Sequence, residues 1–179
     1  LEVDKRAEMG FRRPGEVLLL IGEERGALGA SEVLYLLTGK EFGHPPRLDL
    51  GREKAVQEAI RDLIQRGLTL TAHDVAEGGL LLALAEMTFP YGVGATVEVR
   101  EEGLEALFGE APSRVLFTVE KTRLQEATLL LEERGLPYRV LGETGGKSLT
   151  VLTPGGVLEW SLEELLSAWK APLREVLDG

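Results

Sequence analysis

The sequence predicts an α+β fold in which a mixed β-sheet is covered by helices, and three observations carry that expectation. Apolar runs of strand length alternate with helix-length amphipathic segments, an order that lays helices on a sheet. A late Pro154-Gly155-Gly156 turn joins two strand-like segments as a hairpin, so the sheet is not purely parallel. The chain has 179 residues, 44% hydrophobic and 28% charged, enough for one domain with a buried core.

The elements follow in chain order. Residues 1–14, opening Leu1-Glu2-Val3-Asp4-Lys5-Arg6, read as an incoming linker, and 15–179 as a single domain. Glu16 to Ile21 is a continuous apolar run closed by Gly22, a buried strand. Ser31 is an N-cap for a short helix that Gly39 stops, and Asp49 caps a helix with Val56, Ala59, Ile60, Leu63 and Ile64 on one face and Gly67 at its end. Leu68 to Ala72 reads as a strand running into His73-Asp74-Val75-Ala76-Glu77-Gly78-Gly79, with a buried helix over Leu80 to Met87. Further strands are predicted over Ala95–Arg100, Arg114–Val119, Tyr138–Leu141, Leu149–Leu152 and Val157–Trp160. Capping boxes Thr122/Gln125 and Ser161/Glu164 open the last two helices, the first of them ending at Gly135.

Composition excludes several functions. A formal net charge of −10 opposes an electrostatic grip on nucleic acid, which needs lysine and arginine to displace counterions. No apolar run reaches the roughly twenty residues that cross a bilayer, and the chain reads as cytoplasmic. The absence of cysteine removes disulfides, thiolate catalysis and sulfur-ligated zinc. Absent asparagine and an excess of arginine over lysine point to a thermophilic source.

The candidate chemistry lies in glycine-bearing loops. Gly142 to Ser148 ends in Gly-Lys-Ser but has one residue too few for a phosphate-binding P-loop and precedes a strand, so it reads as a hairpin loop. His73 and Asp74, beside Gly78 and Gly79 at a helix start, supply an imidazole, a carboxylate and free amides; the competing reading is a partly buried histidine with local turns. Gly26 to Glu32 has two readings, a phosphate-binding turn or an ordinary helix cap. Glu110 and Arg114 pair with each other or stay solvated, His44 is an exposed loop residue, and Trp160 and Trp169 are packing anchors. No metal-ligand spacing and no nucleophile, base and orienter set is present in the sequence.

Gly26-Ala-Leu-Gly-Ala-Ser-Glu32, the Phe42-Gly43 to Leu50 linker, and Ala72-His-Asp-Val-Ala-Glu-Gly-Gly-Leu80 to Glu86-Met87 together resemble the last domain of the synthetase subunits of phosphoribosylformylglycinamidine synthase, within the aminoimidazole ribonucleotide synthetase superfamily. The resemblance runs from about Gly15 to the C-terminus. It implies an α/β/α layered domain with a mixed sheet, and a whole enzyme that uses ATP and magnesium, neither bound by this domain alone. The reaction implied turns formylglycinamide ribonucleotide and glutamine-derived ammonia into the amidine, with other domains of the chain, a glutaminase subunit and a small bridging subunit as partners. No catalytic or metal residue carries over. Gly29, Ala30, Ser31, Glu32, His73, Asp74, Gly78 and Gly79 are the ligand-binding candidates, on the expectation that their two turns converge. Glu110-Ala-Pro-Ser-Arg114 departs from the family's Glu-Ser-Gln substrate motif, and Ala30 and Ala76 stand where relatives often carry glycine and serine. The alternatives are a purely structural scaffold or a related synthetase, such as a selenophosphate synthetase.

Overall fold

The computed structural model describes residues 5–178; the expected linker residues 1–4 lie outside it. Seven strands form one sheet: β1 (Glu16–Ile21), β2 (Ala72–Asp74), β3 (Ala95–Glu98), β4 (Val115–Glu120), β5 (Tyr138–Thr144), β6 (Ser148–Thr153) and β7 (Gly156–Ser161). Six α-helices accompany them: α1 (Glu32–Thr38), α2 (Leu50–Gln65), α3 (Gly79–Thr88), α4 (Leu104–Leu107), α5 (Leu124–Glu133) and α6 (Leu162–Asp178). The strand order is β2-β4-β1-β5-β3-β6-β7, with β3 and β6 parallel and every other pair antiparallel.

Period-two alternation in β1 builds two cores at once. Leu18 and Leu20 face Leu80, Leu84 and Met87 of α3, while Val17, Leu19 and Ile21 face Val56, Ala59 and Leu63 of α2 and Leu130 and Leu131 of α5. All six β1 residues are buried, which is why Val17 to Ile21 reads as a continuous apolar run. The sheet is thus sandwiched between helix layers, the α/β/α architecture expected.

Several local signals operate as read. Ser31 Oγ accepts the Leu34 amide, Gly39 ends α1 at φ 67°, and Asp49 Oδ1 caps α2. Ser161 and Glu164 form a reciprocal box, the hydroxyl receiving the Glu164 amide at 3.2 Å and the carboxylate receiving the Ser161 amide at 2.8 Å.

Four expectations are corrected. The second strand starts at Ala72 instead of Leu68, because the Leu68 amide closes α2 on Leu63 O and Thr69 Oγ1 turns back to Thr71 O. Thr122 is not an N-cap, since the chain leaves β4 directly into a 3-10 turn over Lys121–Arg123 and α5 has no side-chain cap. The Gly142–Ser148 segment is not a hairpin: β5 and β6 are neighbours in sequence, but β3 lies between them, and Gly94 exchanges amide bonds with Gly145 and Gly146. Gly142 is required there, because a Cβ would sit 2.0 Å from Thr96 O. Residues 8–14 also belong to the packed body, as Glu8 bridges to Thr71 and Phe11 is fully buried.

Candidate functional site

The site is built where three loops meet beside the β2 edge of the sheet. The first is the turn into α1. Gly29 packs so tightly on the following segment that a Cβ would lie 2.4 Å from His44 O, and the Ala30 amide donates to Phe42 O. Ala30 takes φ 58°, a conformation that glycine reaches without strain. Ser31 is buried, its hydroxyl donating to Leu28 O at 2.6 Å.

The second loop joins β2 to α3. Gly78 and Gly79 both have positive φ, and a Cβ on Gly79 would strike the Phe108 backbone at 2.5 Å. His73 and Asp74 point to opposite faces, as neighbours on a strand must. The His73 ring lies against α3, with Nε2 2.8 Å from Glu86 Oε2 and Nδ1 3.5 Å from Asp74 Oδ1. Asp74 is exposed, on the other side.

Residues 108–114 form the third loop and join the other two. Ala27 and Glu110 exchange backbone bonds at 2.9 Å in each direction. A single carboxylate oxygen, Glu110 Oε1, accepts the Glu32 amide at 3.0 Å and the Gly78 amide at 3.0 Å. The sequence suggests that Glu110 and Arg114 pair or stay solvated, and they do neither. Arg114 is 2% exposed and donates to Glu23 O, Gly109 O and Glu24 O at 2.9, 2.7 and 2.7 Å, so its planar fork staples β4 to the loop after β1. Burial lowers its pKa to about 10, which leaves it charged at neutral pH.

These loops leave a cleft of about 580 Å³ lined by Ala30, Pro46, Glu53, Asp74, Glu110 and Arg114, among others. Of the eight predicted residues, Ala30 and Asp74 face it; Gly29, Ser31, Glu32, Gly78 and Gly79 shape the turns around it, and His73 backs the wall from the α3 side. Glu53 is held below the ordinary carboxylate range, first by the Ser113 hydroxyl donating at 2.7 Å and then by Gln57. Glu53, Ser113 and above all Glu110 are the residues that sequence reasoning missed. The side-chain bonds that tie them into the site, Glu110 to the Glu32 and Gly78 amides and Ser113 to Glu53, span 32 to 78 positions, so no local pattern marks them.

The cleft is rich in carboxylates, and its one guanidinium is spent on backbone carbonyls. It can bind and orient; its Ser113 hydroxyl, bonded to Glu53 at 2.7 Å, faces a carboxylate held below the ordinary range and therefore a weak base. Among the described residues no group of three or more His, Asp or Glu could hold a metal ion, and no described helix is long and apolar enough to cross a membrane.

A mixed seven-stranded sheet between two helix layers, with three loops joined on a carboxylate at its edge, defines a layered α/β/α cleft domain. The profile of the family described as "AIR synthase related protein, C-terminal domain" matches residues 13–153, and the chain belongs to that family. Phosphoribosylformylglycinamidine synthase subunit PurL of Thermus thermophilus is 99% identical over 179 residues, covering 100% of this chain and 25% of that protein. The chain therefore spans about a quarter of the curated relatives it matches. The structure of T. maritima PurL complexed with FGAR is similar with a TM-score of 0.77 at 20% identity, covering 91% of this chain and 30% of that one. T. maritima PurL complexed with ATP gives 0.71 at 21% identity, over 92% and 28%. At these identities the solved structures establish the fold.

Proposed function

We propose that this chain serves as the C-terminal domain of a phosphoribosylformylglycinamidine synthase synthetase subunit and acts only within that enzyme. The observation that supports this reading is the 99% identity to a PurL subunit along the whole chain. In the proposed reaction the formamide oxygen of formylglycinamide ribonucleotide attacks the γ-phosphorus of ATP and ADP leaves. Ammonia delivered by a glutaminase subunit then adds to the activated carbon, and phosphate departs to give the amidine. Oxygen leaves carbon poorly until it is phosphorylated, so the energy of ATP is spent on the leaving group.

Magnesium would neutralise the phosphate charge in the whole enzyme. The described residues of this chain do not fit it. The chain's own contribution is one wall of a cleft. Ala30 and Asp74 face the ligand, Gly29, Ser31, Glu32, Gly78 and Gly79 set the loop shape, and His73 positions Asp74 from behind. Neighbouring domains of the same polypeptide complete the wall, a small bridging subunit joins the glutaminase to it, and the assembly works in the cytoplasm.

A second reading, a scaffold without a ligand, is favoured by one observation. The Glu32 and Gly78 amides that an incoming anion would use are already taken by Glu110. Two assays separate the possibilities. The 179-residue chain, given ATP, formylglycinamide ribonucleotide and ammonium, should form no amidine while the full-length subunit does; turnover by the short chain overturns the proposal. In the full-length subunit, Asp74→Asn should raise KM with assembly intact if the cleft binds a ligand, whereas unchanged kinetics favour the scaffold.

A further inference from the structure

Helix α1 is out of place in an isolated domain. It has seven residues and none of them is buried. A helix that short does not hold itself in water, where about 12–15 residues are needed even for good formers. Its end groups are well tied, by Ser31 at the start and Gly39 at the finish, but in its body only Val33 and Leu34 are partly buried and the rest is exposed. The exposed side chains are also apolar: Leu36 is 78% exposed and Leu37 65%, and Phe42, Leu48 and Leu50, just beyond the helix, are exposed as well. Scattered exposed leucines are ordinary, but six large apolar residues within 35–50, Tyr35, Leu36, Leu37, Phe42, Leu48 and Leu50, are exposed, a density that suits an interface.

We infer that α1 and the segment after it, residues 42–50, are the docking surface through which this domain packs on another domain of its own polypeptide. The inference rests on the proposed function for the identity of that polypeptide. Two observations select the occupant. About three-quarters of the matched relative's length lies outside this chain, so the longer protein has ample surface to cover the patch. The patch is also continuous with the cleft, since Leu48 and Pro46 line it beside Ala30, and the Ala30 amide is bonded to Phe42 O. A partner seated on α1 therefore roofs one rim of the cleft and is positioned to finish its wall. Glu110 ties that rim to the second loop, holding the first amide of α1 and the Gly78 amide on one oxygen.

The experiment uses single-cysteine variants of the full-length subunit, Leu36→Cys and, on the outer face of α5, Leu129→Cys, labelled with a maleimide. Leu129 is 47% exposed and less open in the domain than Leu36, so without docking Leu36→Cys reacts at least as fast. With docking it should react slower by about tenfold or more, as expected for a site that opens only by local dissociation. Equal or faster labelling at position 36 overturns the proposal. Protection that disappears on dilution of the subunit identifies a second copy as the occupant and overturns it too. If Leu36→Cys yields no folded protein, Leu50→Cys, 74% exposed in the domain, gives the same reading. Amidine formation measured in parallel separates the two claims: protection without that activity removes the functional reading and leaves the surface standing.

Discussion

The amide of Glu32 at the start of α1 and the amide of Gly78 at the start of α3 share one acceptor, Glu110 Oε1, at 3.0 Å each. Two turns far apart in sequence are thereby held in one wall by a carboxylate that belongs to neither. Hydrogen bonds to a charged acceptor are stronger than neutral ones, and removing the acceptor leaves two donors to find water. Glu110→Ala should therefore cost about 2 kcal/mol in urea unfolding, with Glu110→Gln about half as damaging because its carbonyl still accepts. A midpoint unchanged in both variants would show that the bonds carry no net stability.

Gly29 and Ala30 should respond in opposite directions. Ala30→Gly relieves a left-handed residue at φ 58° and should stabilise by about 0.5–1 kcal/mol. Gly29→Ala forces a Cβ to 2.4 Å from His44 O, so residues 42–44 must move and the melting temperature should fall. Thermal unfolding of the two variants side by side checks the pair.

Arg114→Lys is not conservative here. An ammonium cannot reach three carbonyls fixed by a planar fork, so buried acceptors at Glu23, Gly109 and Glu24 lose partners. The expected loss is about 3 kcal/mol, read from chemical denaturation.

Acid sensitivity should pass through Glu53. Its folded pKa lies below the ordinary 4.5, chiefly through the Ser113 hydroxyl, so the unfolded chain binds its proton first as pH falls. The stabilisation is complete above 4.5 and is lost as pH drops through the folded value. Ser113→Ala should move the Glu53 titration, followed by NMR, back toward 4.5 and flatten the acid limb of stability.

Much of the fold is legible in the sequence because its signals are local. The β1 run, the Ser31 and Asp49 caps, Gly39, the Ser161/Glu164 box and the Pro154-Gly155 turn each need only a few neighbouring residues, and each appears where the sequence places it. The insertion of β3 between β5 and β6 is not legible. It depends on Gly94 and Gly142 approaching backbones distant in sequence, and a glycine-rich loop between two strands otherwise looks like a hairpin. The candidate residues divide in the same way. Ala30 and Asp74 reach the cleft as the two-turn idea requires, but His73 is claimed by Glu86 across the α3 interface. Glu110 looks like half of an ion pair because Arg114 is its nearest cation in sequence. Burial instead commits that arginine to carbonyls and frees the carboxylate for the two amides.

Convergence of the two turns on Glu110 is tested most directly by native-state hydrogen exchange at the Glu32 and Gly78 amides, compared between the unaltered chain and Glu110→Ala. Both amides should lose protection together, while the Leu34 amide, held by Ser31 Oγ, keeps its own. Protection unchanged at both positions, or lost at one alone, would contradict a shared acceptor and separate the two turns into unrelated loops.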